Sequence, residues 1–248
     1  MPRRPPLAAV AILSDIHGNR QALDAVLEDV AGHGITRWWC VGDVVGYGAD
    51  PDYALEICMS QAERCIAGNH DLGVAGRVPL EEFSSWAYDG VVWTQHALGH
   101  ERCATLGQLE PTDIDHDVPM VHASVRDPIW EYVVGASEAK ASLDLVRAHV
   151  TCIGHTHIPA AWHRHERGTV DAVPAQGIVA LAPGRWLINP GSVGQPRDND
   201  PRASWTVLDL GADTLEFVRT PYDVGGAQRA IRAAGLPEIL AERLAEGF

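Results

Sequence analysis

The chain has 248 residues, of which 46% are hydrophobic and 21% charged, a composition typical of folded globular proteins that argues against long disordered regions. Lys and Arg number 19 whereas Asp and Glu number 33, so the net charge of −14 disfavours nonspecific binding to nucleic acid or to an anionic membrane. An anionic ligand would need a local positive charge in order to bind.

The cysteines and the N-terminal segment indicate a cytoplasmic protein. The five cysteines are an odd number without CxxC spacing, and we expect reduced thiols in the core. The start of the chain imitates a secretory signal, but its apolar run covers only Leu7–Leu13 and no cleavage site follows. No segment is long and apolar enough to span a membrane. The cysteines are Cys40, Cys58, Cys65, Cys103 and Cys152.

Short apolar runs alternate with helical patterns in the first 80 residues. Leu7–Leu13 is predicted to be a strand buried on both faces, and Asn19 is predicted to cap the amphipathic helix that follows. Further apolar runs at Trp38–Val41 and Cys65–Ala67 flank a second predicted helix, which starts at Pro51. This alternation favours a parallel sheet covered by helices.

The middle of the chain is predicted to be largely helical. Residues 80–110 have a helical pattern in which the aromatic side chains are expected to pack onto the sheet. A shorter helix is predicted from Ser137, as its cap, to about His149, and a further buried strand at Val150–Ile153. The aromatic residues in question are Trp86, Tyr88 and Trp93.

The last third of the sequence has a different pattern. From residue 160 onward, alternating apolar runs separated by glycine and acidic turns predict antiparallel hairpins. A helix over Ala227–Leu244, kinked at Pro237, is predicted to close the chain. No repeat or linker divides the sequence, so we predict a single domain over residues 1–248.

Polar side chains follow each of the predicted parallel strands directly. In open α/β sheets ligands bind beyond the carboxyl ends of the strands, so these side chains should converge although they are far apart in the sequence. They are Asp15, His17, Asp43, Asn69, His70, Asp71, His122, His155 and His157.

Each of these residues by itself has an ordinary structural explanation. Asp15 with His17 could be a helix cap beside a surface histidine, Asp43 a turn residue, and His122 a hydrogen-bonded core histidine. If all these explanations held at once, several polar groups would be buried without partners, each at a free-energy cost on the order of 2 kcal/mol or more. Bound cations would remove that cost.

The types of donor indicate which cations would bind. Carboxylate, imidazole and amide oxygen without thiolate suit Mn, Fe or Zn better than a structural cysteine-rich zinc site does. The donors are more numerous than one metal needs. Two metals roughly 3.5 to 4 Å apart, bridged by a carboxylate and a hydroxide, are used for in-line displacement at phosphorus.

The motifs taken together resemble those of the calcineurin-like metallophosphoesterase superfamily. They are Asp15-x-His17, "GDVVG" from Gly42, "GNHD" from Gly68, His122 and "GHTH" from Gly154, in this order. The later "NPGSVGQPR" and the closing helix resemble the small bacterial branch of YfcE-type phosphodiesterases. This resemblance implies an α/β fold, a four-layer α/β/β/α sandwich of two mixed sheets flanked by helices.

The resemblance also implies roles for individual residues. Two divalent or trivalent transition-metal ions (Mn, Fe or Zn) would share Asp43 as a bridging ligand. His70 would donate a proton to the leaving oxygen, Asp71 would hold His70 in place, and a metal-bridging hydroxide would attack phosphorus. One metal would be held by Asp15, His17 and His157, and the other by Asn69, His122 and His155.

Several further residues are candidates for contact with the substrate. Arg197 could bind a non-bridging phosphate oxygen or could be a solvated surface residue. Tyr47, Trp130 and Tyr132 could border the substrate or could pack in the core or at its rim. Ala123 stands where this branch often has glycine, so its methyl group could narrow the pocket. The pair His163 and His165 repeats the spacing of His155 and His157, but it lies in a charged segment without a strand end to direct it, and we expect no acidic partner for it.

The predicted function is hydrolysis of a small phosphate ester, with a phosphodiesterase acting on cyclic or other nucleotides as the leading hypothesis. The alternatives are a phosphomonoesterase of the protein phosphatase or dinucleoside polyphosphate hydrolase type, and a non-catalytic protein-binding scaffold of the same fold. Phosphomonoesterases of this superfamily usually carry additional arginines in their motifs. No arginine follows "GNHD" here, which favours the phosphodiesterase over the phosphomonoesterase. The sequence does not fix the physiological substrate, the native metals or the oligomeric state.

Overall fold

A computed structural model describes residues 9–248, which form two six-stranded β-sheets flanked by helices. The strands are β1 (Val10–Leu13), β2 (Trp38–Cys40), β3 (Arg64–Cys65), β4 (Thr112–Asp113), β5 (Met120–Val121), β6 (Val150–Cys152), β7 (Ala160–Arg164), β8 (Val170–Val173), β9 (Gly177–Ala180), β10 (Arg185–Asn189), β11 (Ala203–Asp209) and β12 (Thr214–Thr220). The helices are α1 (Arg20–Gly32), α2 (Pro51–Gln61), α3 (Asn69–Val74), α4 (Ser85–Leu106), α5 (Ala136–Leu145), α6 (Val224–Ala233) and α7 (Glu238–Glu246), with a 3-10 turn at Leu80–Glu82.

Both sheets contain parallel and antiparallel strands. The first sheet has the order β3-β2-β1-β11-β12-β9, in which β1, β2 and β3 are parallel and β11 is antiparallel to β1. The second has the order β4-β5-β6-β10-β7-β8, in which β5, β6 and β10 are parallel and β7 is antiparallel to β10. The predicted parallel strands and the later antiparallel hairpins are therefore both present, combined in the same two sheets.

The layers arise because the central strands are buried on both faces. Val10 and Ile12 of β1 pack against the second sheet, whereas Ala11 and Leu13 pack on the opposite side with α1 and α2. On the far side of the second sheet, Leu143 of α5 packs in a cluster with residues of β7 and β10. The result is the predicted four-layer sandwich of helices, sheet, sheet and helix.

The first two helices begin where their sequences predict. The side chain of Asn19 accepts a hydrogen bond from the Ala22 N–H (3.1 Å) at the start of α1, and Pro51 is the first residue of α2. The described part of the first strand begins at Val10; the predicted start at Leu7 lies outside the described residues.

The prediction that the three aromatic residues of α4 pack onto the sheet is wrong. Trp86 and Tyr88 are 43% and 44% exposed, because the buried face of α4 carries smaller residues such as Val91. Trp93 is partly buried, but it packs with α6 and α7 rather than on a sheet, and its Nε1 donates to the Ala234 carbonyl (3.0 Å).

Two predicted helix boundaries also differ from the structure. Gly135 rather than Ser137 is the N-cap of α5, which ends at Leu145. The closing helix is two helices, because Gly235 has a left-handed φ of 71° after α6 and Pro237 caps α7. The proline therefore marks a break and not a kink.

Among residues 9–248, no helix is long and apolar enough to cross a membrane. All five cysteines are free thiols, as predicted. Cys40, Cys58 and Cys152 are buried in the core, whereas Cys65 and Cys103 are only partly buried.

Candidate metal centre

All seven predicted metal-ligating side chains lie in one crevice, at the carboxyl ends of parallel strands from both sheets. None is more than 4% exposed. The two aspartates are provided by loops after β1 and β2, and the amide by the first residue of α3. The seven residues are Asp15, His17, Asp43, Asn69, His122, His155 and His157.

The potential ligand atoms form two groups that share Asp43. Within each group, all ligand atoms lie within 4.8 Å of one another. Oδ2 of Asp43 lies 3.5 Å from Nε2 of His17 in one group and 3.5 Å from Nε2 of His122 in the other. Asn69 is next to the second group, with Oδ1 3.2 Å from Nε2 of His122. The first group is Asp15, His17, Asp43 and His157, and the second is Asp43, His122 and His155.

Backbone carbonyls orient the imidazole rings. Nδ1 of His17 lies 3.1 Å from the Val45 carbonyl oxygen, and Nδ1 of His122 lies 2.8 Å from the Val41 carbonyl oxygen. A carbonyl oxygen only accepts hydrogen bonds, so each Nδ1 must carry a proton, and each ring in its neutral form would present the lone pair of Nε2 to the crevice. His155 has the reverse orientation, because its Nε2 lies 3.3 Å from a carbonyl oxygen, that of Trp130.

The contact between His17 and His157 fits a bound cation. Their Nε2 atoms lie 3.0 Å apart, while Nδ1 of His157 lies 2.6 Å from the Gln195 carbonyl oxygen. With both protons on Nδ1, two lone pairs face each other, and no hydrogen bond can form between two neutral rings in this tautomer. A metal ion that accepts both lone pairs would turn this repulsion into two ligand bonds.

The charges in the crevice also fit a cation. Burial lowers the pKa of His17 and of His157 well below its ordinary value, which keeps both rings in the neutral form that binds metals. Burial by itself would raise the pKa of Asp43, but the neighbouring His122 and His70 hold it well below the ordinary value. Burial opposes protonation of His122 as well, yet Asp43 raises the pKa of that imidazole to about 10. Positive charge is therefore favoured beside Asp43.

Five of the predicted ligands have a left-handed backbone. Their φ angles lie between 51° and 67°, and within the described chain only Asn199 and Asp213 share this conformation among residues other than glycine. Such a conformation costs on the order of 1 kcal/mol or more for each residue, so the fold stores strain where it directs these side chains inward. The five residues are Asp15, His17, Asp43, His155 and His157.

Two glycines are required by close approach to the ligands. A Cβ atom on Gly68 would lie 2.0 Å from Oδ1 of Asp43. A Cβ atom on Gly154 would lie 2.1 Å from Oγ of Ser14 and 3.0 Å from Oδ2 of Asp15. The glycines at the start of "GNHD" and "GHTH" therefore leave room for ligands provided by other strands.

The loop over residues 189–197 supports the crevice from the C-terminal half of the chain. Oγ of Ser192 donates to the Asp15 carbonyl (2.7 Å), and the Gln195 carbonyl accepts from the His157 ring. The "NPGSVGQPR" motif thus lies beside the candidate ligands. The use of the Gln195 carbonyl could not be inferred from the sequence, because any residue has a carbonyl group.

His70 lies in the pocket, but Asp71 does not hold it as expected. The Asp71 carboxylate accepts hydrogen bonds from the N–H groups of Gly68, Val44 and Val45, at 2.9 to 3.1 Å. Nδ1 of His70 is buried without a hydrogen-bond partner. Asp71 therefore joins the start of α3 to the Asp43 loop and positions His70 through the backbone. Aspartate caps such N–H groups well because its side chain is short.

Arg197 and Tyr47 both line the pocket above the ligands. Arg197 donates to the Tyr47 hydroxyl (3.3 Å) and to Oε1 of Gln195 (3.1 Å), while its buried Nε has no partner. Within residues 9–248 this guanidinium forms no ion pair. An unneutralised cation beside the crevice supplies the local positive charge that the acidic chain otherwise lacks.

The pocket is a cavity of about 400 Å³ with an aromatic wall. The Phe83 ring lies 5.1 Å from the His70 ring and 5.2 Å from the Trp130 ring, and the Tyr132 ring lies 4.2 Å from that of His155. Trp130 and Tyr132 were weak candidates from the sequence, and no motif marks Phe83. All three come from loops whose path the sequence does not predict.

Ala123 does not line the pocket. Its side chain is buried, and its N–H donates to the Pro128 carbonyl (3.1 Å), so it anchors the loop that carries Trp130. The expectation that its methyl group narrows the pocket is therefore wrong.

The fold and the crevice define a metal-binding protein with the four-layer architecture. The family model for the calcineurin-like phosphoesterase superfamily domain matches residues 9–213, and the chain therefore belongs to this superfamily. The family predicted from the motifs is confirmed.

Three known proteins are similar to this chain. The uncharacterized protein MJ0912 of Methanocaldococcus jannaschii is 36% identical over 244 residues, which cover 95% of this chain and 96% of that protein. The crystal structure of a metallophosphoesterase from Sphaerobacter thermophilus overlays with a TM-score of 0.86 and 38% identity, over 97% of this chain and 99% of that one. YfcE, a phosphoesterase from E. coli, overlays with a TM-score of 0.45 and 18% identity, over 86% of this chain and all of that one (100%).

Proposed function

We propose that the protein is a metal-dependent phosphoesterase, and specifically a phosphodiesterase that hydrolyses small phosphate esters such as cyclic or other nucleotides. The observation that carries this proposal is the pair of ligand groups sharing Asp43 in the pocket that also contains His70 and Arg197. Membership of the superfamily supports the class of reaction.

The crevice is proposed to hold two transition-metal ions, Mn, Fe or Zn. The donors are oxygen and nitrogen atoms without thiolate, and Asp43 lies between the two groups as a shared ligand would. When bound, such ions stabilise charge on the phosphoryl oxygens and supply a hydroxide nucleophile at neutral pH. Asp15, His17 and His157 would hold one ion, and Asn69, His122 and His155 the other.

Arg197 is proposed to bind a non-bridging phosphoryl oxygen, with Tyr47 holding the guanidinium in place. The N–H groups of Arg197 are not all used within the protein, and Tyr47 contacts both this guanidinium and the His70 ring. Hydrogen bonds between guanidinium and phosphate are charge-assisted, and they form only if no carboxylate neutralises the arginine first.

His70 is proposed to serve the leaving oxygen. Its unpartnered Nδ1 is free to exchange a proton, and its ring lies between Tyr47 and Phe83. In the protein alone, burial lowers the pKa of His70 to about 4. A negatively charged phosphoryl group beside the ring raises this pKa and favours the protonated acid.

The pocket favours a diester over a monoester. Arg197 is the one arginine or lysine among the pocket-lining residues of the described chain, and we propose that a single guanidinium suits the one negative charge of a diester better than the two of a monoester. Phe83 and Trp130 lie on the His70 side, where a flat leaving group such as an aryl ring or a nucleoside would pack.

The proposal is tested by loading the protein with Mn and measuring the hydrolysis of bis-p-nitrophenyl phosphate beside p-nitrophenyl phosphate. We expect faster turnover of the diester. Faster turnover of the monoester would favour the phosphomonoesterase alternative. No turnover of either with any first-row metal would contradict the proposal and would favour a binding scaffold.

Variants separate the proposed roles. His70→Ala should lower kcat by about 10²- to 10⁴-fold while the metal content stays unchanged. Arg197→Gln should mainly raise KM, because the guanidinium is proposed to contact the phosphoryl oxygen both in the bound ester and in the transition state. His116→Ala, an exposed histidine that pairs with Asp113, is the matched control and should change neither.

A further inference from the structure

A second cluster of potential ligands lies outside the phosphoesterase pocket. Of the three groups of metal-binding side chains in residues 9–248, two share Asp43, and the third consists of Cys40, Cys58 and Cys65. The three Sγ atoms all lie within 4.8 Å of one another. No role proposed for the pocket uses them.

The three thiols are provided by three different elements. Cys40 and Cys65 are the last residues of the neighbouring parallel strands β2 and β3 and lie opposite each other, and Cys58 lies on the buried face of α2. Cys40 and Cys58 are at most 1% exposed. Cys65 lies on β3, an edge strand of the first sheet, and is the one partly exposed residue of the cluster.

The spacing of the sulfur atoms suits one bound ion. Metal–thiolate bonds of about 2.3 Å place sulfur atoms roughly 4 Å apart around a shared metal. The thiols would therefore need to approach one another by less than about 1 Å, which small side-chain rotations can provide. Cys152, which is equally buried, has no thiol neighbour of this kind among the described residues.

The chemistry of the donors selects a soft cation. No imidazole or carboxylate of the described chain joins the three thiols within the same distance, so a closed four-ligand zinc site is not present. Sulfur ligands without oxygen or nitrogen select soft ions such as Cu(I) over Mn or Fe. Hydrogen bonds from the other two thiols lower the pKa of Cys65 to about 6, so one thiolate at neutral pH can balance one monovalent charge.

We propose that Cys40, Cys58 and Cys65 form a binding site for one soft monovalent cation of the Cu(I) type, separate from the phosphoesterase pocket. Binding replaces thiol protons, which leave to solvent, and changes no oxidation state. The site lies at the ends of β2 and β3, the strands that lead into the Asp43 loop and into α3. A bound ion would therefore fix two strand ends that support the pocket.

The test is an anaerobic titration of the reduced, Mn-loaded protein with Cu(I), in competition with a chelator of known affinity. Sulfur-to-copper charge-transfer absorption reports this site alone, because the pocket has no thiol among its lining residues. We expect one ion per chain. Cys65→Ser should weaken binding roughly tenfold or more. Cys103→Ser, which removes another partly buried thiol away from the cluster, should leave the affinity unchanged.

A second measurement needs no substitution. The rate at which a thiol-alkylating reagent modifies Cys65 in the wild-type protein, mapped by mass spectrometry, should fall when Cu(I) is bound, whereas the rate at Cys103 should not. Absence of the charge-transfer band at one equivalent, equal weakening by both serine variants, or unchanged alkylation of Cys65 would each overturn the proposal.

Discussion

Two His-x-His pairs lie only six residues apart in this chain, and the fold gives them different environments. His155 and His157 follow β6 with φ angles of 67° and 61°, and both are almost fully buried beside carboxylates of the crevice. His163 lies within β7 and stacks on Trp186 of β10, with ring centroids 4.4 Å apart, and His165 follows at the end of that strand.

In the second pair, each Nε2 atom lies beside an oxygen atom of the protein. Nε2 of His163 lies 3.1 Å from the Pro183 carbonyl oxygen, and Nε2 of His165 lies 2.8 Å from a carboxylate oxygen of Asp171. The sequence predicted no acidic partner for this pair, and that expectation is wrong for His165. The position of a pair relative to a parallel strand end, rather than its spacing, makes it available to a metal.

Removal of His157 should have the largest effect. His157→Ala deletes a proposed ligand of the first group, so turnover should fall by more than the roughly 10- to 100-fold expected when an outer partner of a ligand is lost. Steady-state kinetics and elemental analysis of the purified variant measure both effects. Full activity with unchanged metal content would show that His157 is not a ligand.

Removal of the metal should destabilise the wild-type protein. Binding to the folded state at 100 times Kd contributes about 2.7 kcal/mol, equivalent to roughly 5 to 10 °C in Tm for a chain of this size. Thermal unfolding with and without a chelator measures the shift. The difference in Tm with and without the chelator should be mostly lost in His157→Ala and retained in His165→Ala. A shift that is equal in both variants would remove the distinction between the two pairs.

Gly154→Ala tests the close approach that directs the first pair. The added methyl group would collide with Ser14 and approach Asp15, so we expect about 1 to 3 kcal/mol of destabilisation and a metal affinity about 10- to 100-fold weaker. Metal titration and chemical denaturation measure the two effects. A variant with wild-type affinity would mean that the β6 loop can shift without moving His155.

His163→Ala should affect stability and not catalysis. The substitution removes a buried ring from its stack on Trp186 and should cost about 1 to 3 kcal/mol, measured by urea denaturation. The kcat of the folded variant should equal that of the wild type. A loss of bound metal in this variant would contradict this expectation, because it would show that His163 also supports the metal site.

His165→Ala should have the smallest effect. Its side chain is 43% exposed, and exposed ion pairs such as that with Asp171 contribute no more than about 1 kcal/mol. Turnover, metal content and Tm should all remain close to wild type. A large change in any of them would show that exposure is a poor guide to function at this pair.

The side chains of the crevice were largely predictable, because parallel strands place the residues that follow them at one edge of the sheets. That rule brings Asp15, Asp43 and His122 together whatever the lengths of the intervening helices. The aromatic wall was not predictable in the same way. Phe83 and Tyr132 come from irregular loops, whose paths depend on tertiary contacts and have no periodicity to read.

The supporting contacts were less predictable than the ligands. Asp71 was expected to contact His70, but its carboxylate accepts three backbone N–H groups instead. A backbone N–H is present at almost every residue, so the sequence does not reveal which of them a carboxylate will meet. For the same reason, the carbonyl groups that orient His17 and His122 could be found only in three dimensions.

The family, the layered α/β architecture and the candidate metal ligands could be predicted from the sequence, because these predictions depend on residue types placed directly after buried strands. The tertiary structure has Asp43 between two groups of these side chains and His155 separated from His157, which is the division that the family resemblance implied. It also brought three distant cysteines together at one sheet edge. The sequence specifies which residues come directly after each strand. The packing of strands and helices against one another determines which side chains come into contact.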